Sequence, residues 1–233
     1  MSLTSAENIT KTYTMGEVQV PAIRGVSFQL QAGSFVSFVG PSGSGKTTLL
    51  NMLGCLDHPD SGRLTVLDTE VAGLSRRAAA AFRGRHLGFI FQDFNLVPVL
   101  TAYENVEYPL LVVQRRPEAE RRQRVMELLE AVGMAEHRDK RPGQLSGGQK
   151  QRVAVARALV THPALVLADE PTANLDSVTS QAIVELMKRM RDTLGTTFVF
   201  STHDTHLVEQ IETVYHLVDG RIQDGAEGVS SDA

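Results

Sequence analysis

Cysteine occurs once in the chain, at Cys55, so no internal disulfide can form. A lone thiol in an apolar, helix-like stretch suits a reducing cytoplasm and core packing. Long apolar runs are also missing: a membrane-spanning helix needs roughly 18 such residues, and Tyr108 to Val113 is typical of the longest run. The opening residues 1–10 are polar and lack the basic-then-apolar order of an export signal. Any membrane role is therefore expected to come through a partner. Positive charge is not in excess either, since 23 Lys and Arg against 27 Asp and Glu leave a net charge of −4. Such a balance gives no general attraction for phosphodiester backbones or anionic lipid, and nucleic acid is not expected as a partner.

What is present suits a single domain with a real core: 233 residues, 42% of them hydrophobic, with 19 Gly against 9 Pro. Val36 to Val39 is a short apolar run ending in a Gly-rich turn, after which Lys46 to Leu56 reads as a helix with Leu49, Leu50 and Leu53 inward. The alternation returns later. Ala164 to Ala168 reads as a buried strand, Ser177 to Arg191 as a helix, and Thr197 to Phe200 as a strand rich in β-branched and aromatic residues. A parallel α/β architecture follows. Between these blocks Thr101 to Val113, Pro117 to Val132 and Ser146 to Val160 read as helices, broken at Gly133 and at Pro142-Gly143. A helical insert over 93–160 is thus expected within a core of 1–92 and 161–223. Val20 to Leu30 and Arg63 to Val71 alternate around Gly33, Gly62 and Gly73 and read as antiparallel strands. The tail 224–233 is expected to be mobile.

The strongest local signal is Gly40-Pro41-Ser42-Gly43-Ser44-Gly45-Lys46-Thr47, followed by Thr48. It fits the nucleotide-binding loop pattern in the strand-to-helix context that the pattern requires. Its glycines let the backbone wrap closely and aim N–H groups at a β-phosphate, and the helix starting near Lys46 adds the positive end of its dipole. Lys46 is expected to reach β and γ oxygens. Thr47 is expected to ligate Mg²⁺ through its hydroxyl, one of the few protein ligands that a water-retaining octahedral ion takes in such sites.

Ala164 to Ala168 runs into Asp169-Glu170, two carboxylates at the sheet edge where α/β proteins place ligands. In isolation the pair reads as solvated polarity. Downstream of a phosphate loop, Asp169 suits Mg²⁺, and Glu170, pointing elsewhere by strand alternation, suits polarising the attacking water.

Leu145-Ser146-Gly147-Gly148-Gln149 opens a helix with Ser at its cap and two glycines whose N–H groups stay open to an anion. Read alone, this is a capped helix containing glycine. One chain thus carries two anion-receptive helix starts, and an ATP held by one subunit's loop and covered by another subunit's Ser146 would use both. With these residues the chain resembles the ABC ATPase family, whose signature Leu145 to Gln149 is similar to. The resemblance extends over nearly the whole sequence. It implies a P-loop NTPase (RecA-like) core with an antiparallel β subdomain and an inserted α-helical subdomain, and ATP sites shared across a head-to-tail homodimer.

The resemblance also implies roles for residues that would otherwise be read blandly. Tyr13 resembles the ring that stacks on adenine; on its own it is an ordinary strand tyrosine. Gln92, in Phe91-Gln92-Asp93, is similar to the glutamine that senses Mg²⁺ and the attacking water; alone it is a loop amide. Asp176 is similar to the residue that bridges subunits, and it also reads as the N-cap of the next helix. His203, in Ser201-Thr202-His203-Asp204, looks like the switch histidine on the γ-phosphate, although a lone His is more often a satisfied surface or core residue. His203 and His206 have no third partner that would make a metal site.

Met15 to Val18, Leu53 to Asp57, Phe91 to Leu96 and Thr101 to Val106 resemble the lipoprotein-release and macrolide-export branch. This implies a peripheral subunit on the cytoplasmic face of the inner membrane, bound to an integral membrane permease subunit. Phe94, Leu96 and Val99 are the apolar candidates for that contact, with the core of the insert as their other reading. Ala173 stands where this branch often has Gly, and Lys150 where it often has Gln. Rival readings are a nucleic-acid- or ribosome-associated ABC ATPase, a small-molecule kinase with the same loop, and a regulator that hydrolyses nothing.

Overall fold

The computed structural model describes residues 2–203, 208 and 210–228, and of 224–228 the backbone alone. In chain order the elements are β1 (Ser2–Met15), β2 (Val18–Gln31), β3 (Phe35–Val39), α1 (Lys46–Leu53), β4 (Ser61–Val66), β5 (Thr69–Glu70), α2 (Arg76–His86) and β6 (Leu87–Ile90). They continue with α3 (Ala102–Pro109), α4 (Glu118–Ala131), α5 (Gly147–Leu159), β7 (Leu165–Asp169), α6 (Ser177–Leu194), β8 (Thr197–Thr202), β9 (Thr213–Val218) and β10 (Arg221–Gly228). Two compact units result, one taking residues up to 80 and from 197 onward, the other 81–196. This division falls at other places than the sequence boundaries at 92/93 and 160/161.

In the first unit β2, β1, β4 and β5 form an antiparallel sheet in that order. The hairpin closes on a two-residue turn in which Gly16 takes φ +62°, a left-handed conformation that glycine adopts without a steric cost. Around β3 the pairing is different. β8 and β9 flank it in parallel, and β10 runs antiparallel to β9. All five residues of β3 are buried, as expected of a parallel strand covered on both faces. Phe35 and Phe38 point to opposite faces. Phe35 joins Phe198 and Phe200 at ring-centroid distances of 5.9 and 5.0 Å, while Phe38 meets Phe28 and Tyr215 at 5.2 and 5.3 Å. The Gly-rich turn after Val39 is therefore fixed at its entry by a core on each side.

In the second unit β6 and β7 pair in parallel. A Cβ on Gly88 would stand 2.3 Å from the Ala158 carbonyl, so only glycine lets β6 lie this close to α5. The expected strands and helices at 36–39, 46–56, 164–168, 177–191 and 197–200 are present with shifted ends. Thr101 to Val113 differs in kind. Thr101 caps α3 through a reciprocal pair with Glu104, but at Pro109 the α-helix gives way to a π-helical turn over Leu110–Gln114. Proline has no N–H and its ring crowds the carbonyl four residues back, which loosens the register. Residues 224–228 continue β10, with Glu227 opposite Val214, and the rest of the tail, 229–233, lies outside the described residues.

Candidate functional site

The phosphate-loop residues stand in the first unit. Gly43 and Gly45 take φ +79° and +105°. A Cβ on Gly40 would fall 2.0 Å from the Leu217 carbonyl, and one on Gly45 2.5 Å from the Ala22 carbonyl. Glycine is thus required at Gly40 by close approach and at Gly45 by both approach and conformation. Ser44 is tied down through its backbone, its N–H donating to Pro41 at 3.2 Å and its carbonyl accepting from Gly220 at 3.0 Å. Lys46 is buried and donates from Nζ to the carbonyls of Gly40 at 2.8 Å and Pro41 at 3.0 Å, so its ammonium lies under the loop that it shapes.

Two features of this loop suit an anion. α1 starts from Gly45, which offers no side-chain cap, and no acidic residue stands in its first turn. Its first N–H groups and its positive dipole end therefore have no side-chain acceptor of their own. Within the loop the Ser44 hydroxyl is buried with no hydrogen-bond partner among the described residues, a condition that a polar ligand relieves. Pro41, Ser42, Gly43 and Thr47 are exposed around it, and Thr48 is half-buried. The Thr47 hydroxyl is the donor type that Mg²⁺ accepts beside phosphate oxygens. Among the described residues no group of three or more His, Cys, Asp or Glu could hold a metal ion, and a phosphate-tethered Mg²⁺ needs no such group.

Tyr13, on β1, is locked at its phenol. Its hydroxyl donates to Asp57 Oδ2 at 2.8 Å and hydrogen-bonds the Thr48 side chain, so the ring stands beside α1. Asp57 Oδ1 in turn accepts from Lys11 Nζ at 2.7 Å, and Lys11 also donates to the His58 carbonyl at 2.9 Å. Burial alone would raise the Asp57 carboxyl, but hydrogen bonds from Lys11, the His58 amide and Tyr13 outweigh it and hold the carboxyl below its ordinary range. Burial alone would lower the Lys11 ammonium, yet Asp57 and Asp60 raise it. A depressed carboxylate stabilises the fold above its unfolded pKa, and this contribution is lost as pH falls through the folded value. A raised ammonium stabilises below its unfolded pKa and loses that contribution as pH rises through the folded value. The thermal midpoint of Asp57→Asn is therefore expected to lie below that of the unmodified protein at neutral pH, with the gap closing as the pH drops below about 4. A gap independent of pH down to unfolding would rule out the charged pair.

In the second unit β7 delivers Asp169 and Glu170, both half-buried. Strand alternation is not what sets Glu170 apart. β7 ends at Asp169, and Glu170 takes φ +47°, a left-handed conformation that turns its side chain out of the strand's sequence of faces.

Ser146 caps α5, accepting from the Gln149 N–H at 3.3 Å, while Gln149 Oε1 accepts from the Ser146 N–H at 3.0 Å. This reciprocal box leaves the N–H groups of Gly147 and Gly148 without a side-chain cap. A Cβ on Gly148 would stand 2.6 Å from Thr179 Cγ2. The helix start opens into a cleft of 420 Å³, lined by Ser146, Gly147, Gly148, Asn174, Asp176 and Thr179 among others. Asp176 caps α6 through the Thr179 N–H at 2.9 Å, and hydrogen bonds from the Thr179 side chain and backbone lower its pKa.

Gln92 is exposed, and its surroundings contain residues that sequence reading missed. Asn174 Nδ2 donates to the Gln92 carbonyl and to Asp93 Oδ1, each at 3.1 Å. Arg157 grips the carbonyls of Phe94 (2.8 Å) and Asn95, both of which have positive φ. Buried Asn105 donates to the carbonyls of Val97, Leu100 and Thr101 and accepts from the Val97 N–H at 2.7 Å. Phe94 and Leu96 are half-buried, with Lys150 Nζ 5.9 Å from the Phe94 ring centre, whereas Val99 is 73% exposed. His203 follows β8 in the first unit and is exposed; Asp204 and His206 lie outside the described residues.

The structure thus brings Tyr13 and the 40–48 loop together in one unit, and Gln92, the 146–149 helix start, Asp169, Glu170 and Asp176 in the other. The pattern of the ABC transporter family matches residues 23–173. An uncharacterised ABC transporter ATP-binding protein of Thermotoga maritima is 47% identical over 93% of this chain and 92% of its own length. The lipoprotein-releasing system ATP-binding protein LolD of Bordetella pertussis is 46% identical over 94% of each. The cassette MJ0796 of Methanocaldococcus jannaschii, solved as a dimer in a post-hydrolysis state bound to ADP and Pi, superposes with a TM-score of 0.88 at 41% identity, covering 98% of this chain and 100% of that one. With the family pattern spanning more than half of the sequence and relatives this similar along nearly their full length, the chain belongs to the ABC transporter family, as an ATP-binding subunit that hydrolyses ATP.

Proposed function

We propose that two copies of this chain close on two ATP molecules and drive a separate integral membrane subunit of the lipoprotein-release or related export type, from the cytoplasmic face of the inner membrane. The uncapped, glycine-cradled start of α1, with the buried Ser44 hydroxyl that has no partner among the described residues, is the observation that supports this reading most directly. Lys46 and the loop N–H groups offset the β- and γ-phosphate charge, and Tyr13 stacks on the adenine. The N–H groups of Gly147 and Gly148, with Ser146 and Gln149, cover the γ-phosphate of the partner's ATP. Glu170 orients a water for in-line attack, His203 contacts the γ-phosphate, and Asp176 bridges the two copies. Thr47, Asp169 and Gln92 would hold Mg²⁺, which when bound spreads the charge on the phosphate oxygens. No described helix is long and apolar enough to cross a membrane, and exposed Val99 with Leu96 is the contact offered to the permease. The LolD relative favours this branch.

Light scattering tests the shared site. The Glu170→Gln variant with ATP is expected to double in mass and to return to the monomer when nucleotide is removed. A monomer that persists at saturating ATP would overturn the shared-site reading.

A further inference from the structure

We propose that Gln151 is a positioning residue for hydrolysis, holding the backbone beside Glu170 from the helix whose first turn covers the partner's ATP. Gln151 lies on α5, four residues after Gly147, and is fully buried. Its Nε2 donates to the Pro171 carbonyl at 2.7 Å. Its Oε1 is buried with no partner among the described residues. A core position that satisfies only half of an amide is less stable than one filled by an aliphatic side chain of similar size. Core packing alone therefore gives no reason for glutamine, and the reason must lie in what the amide holds.

It holds the carbonyl of Pro171, the residue that follows Glu170. Glu170 combines a φ of +47° with a place directly before proline, whose ring crowds the residue preceding it. A non-glycine residue keeps such a conformation only where its surroundings over-determine it. The Ala173 N–H bonds the Glu170 carbonyl at 3.2 Å, and Gln151 secures the next carbonyl, that of Pro171. Because Gln151 and the Gly147-Gly148 start share one short helix, a shift of α5 when it meets a γ-phosphate moves the donor that holds Pro171, and with it the Glu170 carboxylate. This rests on Glu170 being the group that orients the attacking water.

The test is Gln151→Leu, with steady-state ATP hydrolysis, thermal melting and light scattering. The expected result is a kcat about 10- to 100-fold lower, the size of effect that a small misplacement of a reacting group produces. KM for ATP should stay within about twofold, the melting midpoint should be equal or higher, and ATP-dependent dimerisation should be retained. In the Glu170→Gln background, adding Gln151→Leu should leave the residual rate nearly unchanged, because Gln151 acts through Glu170. Should the leucine variant not fold, Gln151→Met keeps the side-chain length and serves the same comparison. An unchanged kcat would overturn the proposal, as would a kcat loss that follows a lowered melting midpoint or a full multiplicative loss in the double variant. A Glu170→Gln single variant with normal turnover would instead remove the role of Glu170, whatever Gln151→Leu does.

Discussion

Replacing Glu170 by glutamine is expected to leave ATP binding intact and to lower turnover by about 10²- to 10⁴-fold, the usual worth of a positioned general base. The substitution keeps the length of the side chain and its ability to accept a hydrogen bond, and it removes only the charge and basicity. The left-handed backbone at Glu170 strains Glu and Gln equally, since both carry the same Cβ. The fold around β7 and the affinity for nucleotide should therefore be preserved, and the whole effect should fall on kcat, corresponding to about 3–5 kcal/mol of barrier. Phosphate release under steady state, set beside equilibrium titration of ATP, checks this. Near-normal hydrolysis would take Glu170 out of the mechanism, whereas lost binding would mean that the carboxylate holds the ground state instead.

The parts of the molecule legible from sequence are those whose causes are local. The turn from β3 into α1 is set by an apolar run, glycines at fixed spacing and a helix start, all within a few residues. The caps at Ser146 and Asp176 join residues three apart. β1 was not legible because its pattern changes phase: Thr4 and Ala6 are buried, then Ile9 and Lys11. The irregularity between Ala6 and Ile9, where Asn8 takes φ +49°, inserts the extra residue that breaks a period of two. The supports of the Gln92 segment were missed for another reason. Arg157 and Asn174 act on carbonyls far away in the chain, as Gln151 does on Pro171, and no local spacing marks a side chain whose partners are brought to it by the fold. Glu170 shows the limit most plainly, since its residue type and neighbours suggested a role but its placement depends on a backbone turn that strand alternation does not contain.

Replacing Lys46 by alanine is expected to abolish nucleotide binding at micromolar concentrations. The lysine acts twice. In the proposed site its ammonium would be the charged donor for the β and γ oxygens, and hydrogen bonds to charged groups are worth about 1.5–3 kcal/mol. It also bonds the carbonyls of Gly40 and Pro41 from below, so its loss leaves two carbonyl groups without their donor and frees the loop to leave the conformation that aims its N–H groups at phosphate. The first loss alone weakens affinity by about 10- to 150-fold, and the second adds to it. Lys46→Arg separates the two contributions. It keeps the charge, but a planar guanidinium cannot enter the buried space that a compact ammonium occupies, so arginine should recover little binding if the loop's shape matters. Both variants should still fold and melt cooperatively, because the aromatic groups flanking β3, which fix the entry to the loop, are untouched. A titration of Lys46→Ala indistinguishable from that of the unmodified protein would mean that phosphate is bound somewhere other than this loop.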